Sequence, residues 1–410
     1  MIATGQRLPS YALFAALLAA AGLPIYIHAP KFYADTYGLS LGALGSVLFV
    51  LRLIDVVQDP LLGRLSERLR HRRGAAVAVS ATVMALAMLG LFAVPPLLPP
   101  LAWFALMLTL VFSAFSFLTI CFYAQGVAKA AAMPGSGHLA VARWRETGAL
   151  LGVCVASVVP VGLGLWMPTP FAGFAVGFAV LALAAVFSMR GEWHDAGLLP
   201  ATGFGTVLRD PVARRLLLVA LVNAAPVAVT STLFLFYVET VLQAPGWEGP
   251  LLLLFFVCAA AAAPFWGALA ERHSSRRVLL AAMCLGILSF GGALFLGPGD
   301  LWLFALVCIA SGAVLGADLT LLPAMFAARM GKIAPSAAEG FGLWSFVSKF
   351  TLALAAVVLF PLLEASGLQG GQAAAPAEAA KMLTFFYAGV PCVLKIVAIT
   401  LLASVGGEKE

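Results

Sequence analysis

The sequence predicts an all-α membrane protein of twelve spanning helices, arranged as two six-helix halves. Three observations predict it. The 410 residues are 62% hydrophobic and only 10% charged, with a mean hydropathy of +1.03, whereas soluble domains carry about 25% charged residues. The apolar residues fall in continuous runs of about twenty, the length that spans a bilayer as a helix, and not in the ten-residue alternating segments of a β-barrel. A motif near the end of the second run returns, in the same direction, near the end of the eighth.

Taken in order, the spans are read at 10–34, 39–63, 74–95, 101–127, 139–166, 171–190, 212–240, 248–269, 277–297, 300–327, 337–363 and 381–404. The first is read as a helix and not a cleaved leader, because no small-residue cleavage pattern follows it. Three connections on one side are short and nearly free of basic residues: 95–100, 166–170 and 297–300. The other side collects Arg64, Arg68, Arg70, Arg72 and Arg73, then Arg190, Arg209, Arg214 and Arg215, then Arg272, Arg276 and Arg277. Basic loops stay on the cytoplasmic side, so both termini are expected there, with a bacterial inner membrane as the setting. The polar, Gly/Pro-containing segment 191–211 reads as a cytoplasmic linker between the halves 1–190 and 212–410. All six cysteines lie in apolar runs and form no CxxC pair, which argues for packing and not for disulfides or zinc.

Pro60, Gly63, Leu65, Glu67, Arg68, Arg72 and Arg73 recur 204 positions later as Pro264, Gly267, Leu269, Glu271, Arg272, Arg276 and Arg277. Parallel repeats of six helices are an architecture of secondary transporters, with the substrate held near the bilayer midplane. The second copy lacks one feature of the first. Arg52, Asp55 and Asp59 correspond to Phe256, Ala259 and Ala263. The shared loop signature therefore points to fold and gating, and the unshared charges to chemistry. Gly63, Glu67, Arg68, Arg72, Gly267, Glu271, Arg272 and Arg276 are the gating candidates, with Arg143 and Glu146 at the start of span 5.

Arg52, Asp55 and Asp59 are spaced i, i+3, i+7 and share one helix face. Each charge near a bilayer centre costs about 2.5–3.5 kcal/mol on insertion scales. Two carboxylates four residues apart repel unless they share a cation, share a proton or pair with a base. Carboxylate oxygens with a nearby amide suit a hard cation, so Asp55, Asp59 and Gln58 are the candidate coupling site, for Na⁺ or H⁺. Lys349, deep in span 11, needs a carboxylate and joins Arg52 in a candidate charge network. A static Arg–Asp lock is the competing reading.

The run GLSLGALGSVLFVLRLIDVVQDPLLG (38–63) resembles the glycoside–pentoside–hexuronide:cation symporters, the melibiose-permease-like branch of the major facilitator superfamily. EGFGLWSFVSKFTLAL (339–354) resembles the helix-11 signature of that branch, and ARWRETGALLG (142–152) and GADLTLLPA (316–324) match it more loosely. The resemblance implies that Asp55 and Asp59 bind the coupling cation, with Lys349 near them. It also implies an acid on helix 1 in galactoside carriers, where this chain has Ala19. The acidic helix 10–11 connection of many members is here basic. The coupling motif is kept and the sugar motif is not.

The substrate-binding candidates are Tyr26, Tyr123, Gln125, Asn223, Asp318 and Trp344. Asn223 is the chain's one asparagine, and Pro226 beside it opens a helix whose carbonyls an amide can satisfy. Lys395 lies nearer the end of span 12 and is read as reaching the surface. No Walker A, HExxH or metal-ligand cluster appears, so ATP drive and hydrolysis lack a carrier and no enzyme activity is expected. No cofactor beyond the coupling ion is expected. The expected partners are a small solute and the lipid bilayer, with no nucleic acid, and the expected state is a monomer. The leading function is cation symport of a small, sugar-like organic solute. Lipid or amphiphile transport and proton-driven export by the same fold are the alternatives.

Overall fold

The computed structural model describes residues 8–133, 135, 137–193, 203–334, 336–365 and 377–404. All of the regular structure among them is helical, with no strand. In order the helices are α1 Leu8–Ala20, α2 Leu23–Tyr37, α3 Leu41–Arg68, α4 Arg73–Phe92, α5 Pro100–Ala131, α6 Gly137–Leu163 and α7 Pro170–Met189. Then come α8 Phe204–Arg209, α9 Pro211–Phe236, α10 Glu248–Arg272, α11 Ser275–Gly291, α12 Leu301–Ile333, α13 Ala338–Ala365, α14 Ala377–Thr384 and α15 Val390–Ser404. Eight of the described helical segments are long and apolar enough to cross a membrane.

Local chemistry sets many of the boundaries. Pro100, Pro170 and Pro211 open their helices, where the missing N–H is no loss. Ser40, Asp210 and Ser274 cap α3, α9 and α11 by accepting from the amides of Ala43, Ala213 and Arg277. Gly38 closes α2 at φ +67°, a conformation open to glycine. The predicted first span is two helices, broken at Ala21–Gly22. Pro24 has no N–H to donate to the Ala20 carbonyl, so the hydrogen-bond ladder cannot run through. Two spans also contain π-helical turns, at Tyr237–Val241 and Phe385–Gly389.

The chain divides into two compact units: Met1–Val207 with Ala327–Phe346, and Leu208–Phe326 with Val347–Glu410. Of the segment 191–211, residues 194–202 lie outside the described residues.

The core of the first unit is built on α1, whose Tyr11, Phe14 and Leu17 are fully buried. Tyr11 and Phe14 pack on Phe122 of α5 at ring-centroid distances of 5.4 and 4.9 Å. Helix α6 meets α1 almost backbone to backbone. A Cβ on Gly148 would lie 2.2 Å from the Ala12 carbonyl oxygen, and one on Gly152 would lie 2.6 Å from that of Ala16. Small residues four apart permit such approach where burial from water does not drive association.

In the second unit, α12 meets α10 in the same manner. Gly312 and Gly316 face the carbonyls of Phe255 and Ala259, which would sit 2.3 and 2.6 Å from an added Cβ. An aromatic group forms part of its buried core, where Tyr237 and Tyr387, one from each π turn, stack at 4.1 Å. The Tyr237 hydroxyl donates to the Ala293 carbonyl at 2.7 Å, as a buried phenol must.

Candidate functional site

In the first unit, α3 carries both candidate carboxylates inward. Asp59 is fully buried and Asp55 is 4% exposed, while neighbouring Leu53, Ile54 and Val57 face outward. The acids therefore occupy the protein-facing stripe that the i, i+4 spacing predicts.

Oxygen and amide groups surround them. Gln58 Nε2 donates to Asp55 Oδ1 at 2.7 Å, and its Oε1 accepts from Ser113 Oγ of α5 at 2.9 Å. That serine fixes the amide's orientation. Ser345 Oγ of α13 donates to Asp59 Oδ2 at 2.5 Å. The approach of α13 is possible because Gly63 and Gly342 meet there. An added Cβ on Gly63 would lie 3.3 Å from the Gly342 Cα, and one on Gly342 would lie 3.1 Å from the Asp59 carbonyl oxygen. The result is a set of two buried carboxylates with one half-buried amide and two half-buried hydroxyls. Its donor set is all oxygen, apart from the amide nitrogen, and suits a hard monovalent cation or a proton. Ser113 and Ser345 escaped the sequence reading, because a serine in an apolar span is common and only the fold brings these two to α3.

The other predicted residues divide. The side chains of Arg52 and Tyr26 lie outside those described. Lys349 follows Ser345 by one helical turn and belongs to the second unit. Trp344, beside Ser345, is half-buried.

Tyr123 belongs to a buried cluster. Its hydroxyl donates to Glu146 Oε1 at 3.2 Å, and the Arg145 guanidinium lies 3.7 Å above its ring and 2.6 Å from the same carboxylate. Phe341 packs on the tyrosine ring at 5.0 Å. Gln125 accepts from Arg73 Nη1 at 3.3 Å and donates to the Glu192 carbonyl, while Lys129 pairs with the Glu192 carboxylate at 2.8 Å. This network ties α4, α5 and the turn after α7 together, and it occupies the Gln125 amide at both ends.

Among the gating candidates, Glu67 is buried and receives Arg70 at 3.4 Å, whereas Arg68 and Arg72 are exposed. Arg143 is half-buried, and Glu146 is held as above. In the second unit, Gly267 is buried, Glu271 and Arg272 are exposed, and Arg276 donates to the Ala403 carbonyl.

The second unit holds a charged group that sequence reasoning missed. Lys395 does not reach the surface. It is 7% exposed and donates to Asp318 Oδ2 and, at 2.7 Å, to Asn223 Oδ1. Depth along a span predicts how far a lysine lies from water, but not which face it occupies. Here that face is the bundle interior, where an ammonium must find a carboxylate. The available signal was complementarity, since Asp318 lies in a neighbouring apolar run and carries the opposite charge.

Known proteins place this architecture. A bacterial homologue of the iron transporter ferroportin, in its outward-facing state, superposes with a TM-score of 0.69 at 15% identity, over 97% of this chain and 99% of that one. The same homologue soaked with iron gives 0.71 at 16% identity, over the full length of both chains. The Escherichia coli fucose:proton symporter FucP gives 0.66 at 14%, over 100% of this chain and 99% of that one. These likenesses establish the twelve-helix major facilitator fold. YagG of Escherichia coli (strain K12), named for glycoside/cation symport, is 49% identical over 43 residues, which is 10% of this chain and only 9% of that relative. The model of the MFS/sugar transport protein family matches residues 10–405. By that nearly full-length match, the chain is a multi-pass membrane transporter, not an enzyme, and belongs to the MFS/sugar transport protein family of the major facilitator superfamily.

Proposed function

We propose that this transporter is a cation-coupled symporter of a small, sugar-like organic solute, driven by Na⁺ or H⁺ bound at Asp55 and Asp59. The observation that carries the reading is the pair of buried carboxylates on one face of α3, with Gln58 and Ser345 hydrogen-bonded to them. Two such groups in an apolar bundle are costly unless positive charge, from a bound ion or from basic side chains, compensates them. Binding the ion there lowers that cost and biases the halves toward one arrangement, which is how an ion gradient does work in alternating access. The names of two similar proteins agree, since one carries glycoside and cation in its title and the other fucose and proton. We place both termini on the cytoplasmic side on the distribution of arginine and lysine, and take a monomer in a bacterial inner membrane as the working form.

Flux into proteoliposomes tests the reading. A panel of labelled pentoses, hexoses, hexuronates and methyl glycosides is offered with an inward Na⁺ gradient, an inward H⁺ gradient or neither. Gradient-dependent accumulation of at least one solute is the expected result. Accumulation of none, with the protein folded and inserted, overturns the substrate class. Accumulation indifferent to both gradients overturns coupling.

A further inference from the structure

A cavity of about 80 Å³ lies wholly within the second unit, between α9, α10, α11, α12 and α15. Asp318 and Lys395 are among its lining residues. Most of the remaining wall is apolar or aromatic, with Val227, Phe255 and Phe290 among its residues.

The polar balance at this cavity is uneven. Lys395 is well served, with Asp318 Oδ2 and Asn223 Oδ1 as acceptors. Asp318 is not. Its residue is 93% buried, yet Oδ1 has no hydrogen-bond partner among the described residues. A buried carboxylate oxygen without a donor is costly. Two hydroxyls on the same wall extend the pattern. Thr230 Oγ1 donates to the Val227 carbonyl at 3.2 Å and Ser311 Oγ to that of Val307 at 2.6 Å. Each has thereby used its only proton and offers lone pairs alone. The residues lining the cavity thus carry three acceptors, the buried Asp318 Oδ1 among them, and suit a donor-rich guest.

We infer that this cavity is a binding site for a small neutral alcohol or diol, whose hydroxyl donates to Asp318 Oδ1 while its carbon skeleton lies against Phe255 and Phe290. Neutrality follows from the ion pair. The charges of Asp318 and Lys395 already cancel, so an ammonium or carboxylate guest would bring an uncompensated charge into an apolar bundle. Size follows from the volume. A cavity of about 150 Å³ holds one benzene ring, so 80 Å³ matches a guest of about three to five heavy atoms. The guest would bridge α12 to α9, since Asp318 and Ser311 lie on one and Thr230 on the other.

Cys392 lines the same cavity and is half-buried, whereas Cys284 is exposed. Both are native reporters, read together by peptide mass spectrometry after timed alkylation of the purified full-length protein with N-ethylmaleimide. Propane-1,2-diol should slow alkylation of Cys392 saturably in the millimolar range and leave Cys284 unchanged. Propylammonium and propionate at equal concentration should protect neither. The double variant Thr230→Val, Ser311→Ala keeps the ion pair and removes two acceptors, so it should need about tenfold more diol for the same protection. Equal protection by the charged analogues overturns the assigned ligand class. Equal slowing of both cysteines, or no protection of Cys392 at 100-fold excess over the millimolar range, overturns the site.

Discussion

Ser345 and Asp59, 286 residues apart in the chain, are joined by a 2.5 Å hydrogen bond from the serine hydroxyl to Asp59 Oδ2. One turn away, Gly63 and Gly342 let the two helix backbones touch. The glycine contact fixes the distance between α3 and α13, and that distance fixes the hydroxyl on the carboxylate. An oxygen held there can donate to the carboxylate or turn a lone pair to a bound cation. Removing it tests whether it belongs to the ion site.

Ser345→Ala should weaken the apparent affinity for the coupling cation about tenfold, the worth of one hydrogen bond to a charged group. Maximal uptake and the size-exclusion profile should change little. Unchanged ion dependence would remove Ser345 from the site.

Gly63→Val should abolish transport while leaving the protein in the membrane. A single Cβ at this position already lies 3.2 Å from the Ala338 carbonyl oxygen and 3.3 Å from the Gly342 Cα. Two further methyl groups would part the helices and draw Ser345 off Asp59. Gly63→Ala, which needs a shift of only a few tenths of an ångström, should retain measurable uptake. Wild-type transport by the valine variant would show that the close crossing is dispensable.

Lys395→Met should lower stability by about 3–5 kcal/mol, because it strands the Asp318 carboxylate in the bundle. Combining it with Asp318→Leu should recover most of that loss, since both charges then disappear together. Thermal unfolding in detergent measures both. A double variant as unstable as the single one would mean that packing around Lys395 matters more than its charge.

Gly203→Cys, in a background stripped of native cysteines, should react with a membrane-impermeant maleimide only after the cytoplasmic face is opened. Labelling from the outer face of intact cells would contradict the proposed orientation.

Much of this was legible in the sequence, for identifiable reasons. Burial on both sides by lipid and protein makes spans continuous, so their positions follow from hydropathy alone. Proline and capping residues such as Pro170, Pro211 and Asp210 mark the ends. Asp55 and Asp59 stood out because charge in an apolar run is rare and helical spacing sets their shared face. Partners supplied by other helices were not legible. Ser113, Ser345 and the Lys395–Asp318 pair depend on which faces meet, and span length carries no such information. The break at Gly22 could have been read from Pro24. The π turns that carry the stacked Tyr237 and Tyr387 have no comparable local signal.

Asp59→Asn tests ion coupling at α3 most directly. The substitution keeps volume and removes the charge, so α3 should still pack. Losing one of two negative charges at a buried cation site should weaken binding by several kcal/mol, enough to empty it at ordinary ion concentrations. The measurement is gradient-driven accumulation, in proteoliposomes, of a solute from the panel that the native protein concentrates, with size-exclusion as the folding control. The predicted result is loss of accumulation with downhill exchange retained. If Asp59→Asn concentrates that solute as well as the native protein does, the carboxylate pair is structural and the proposed coupling is wrong.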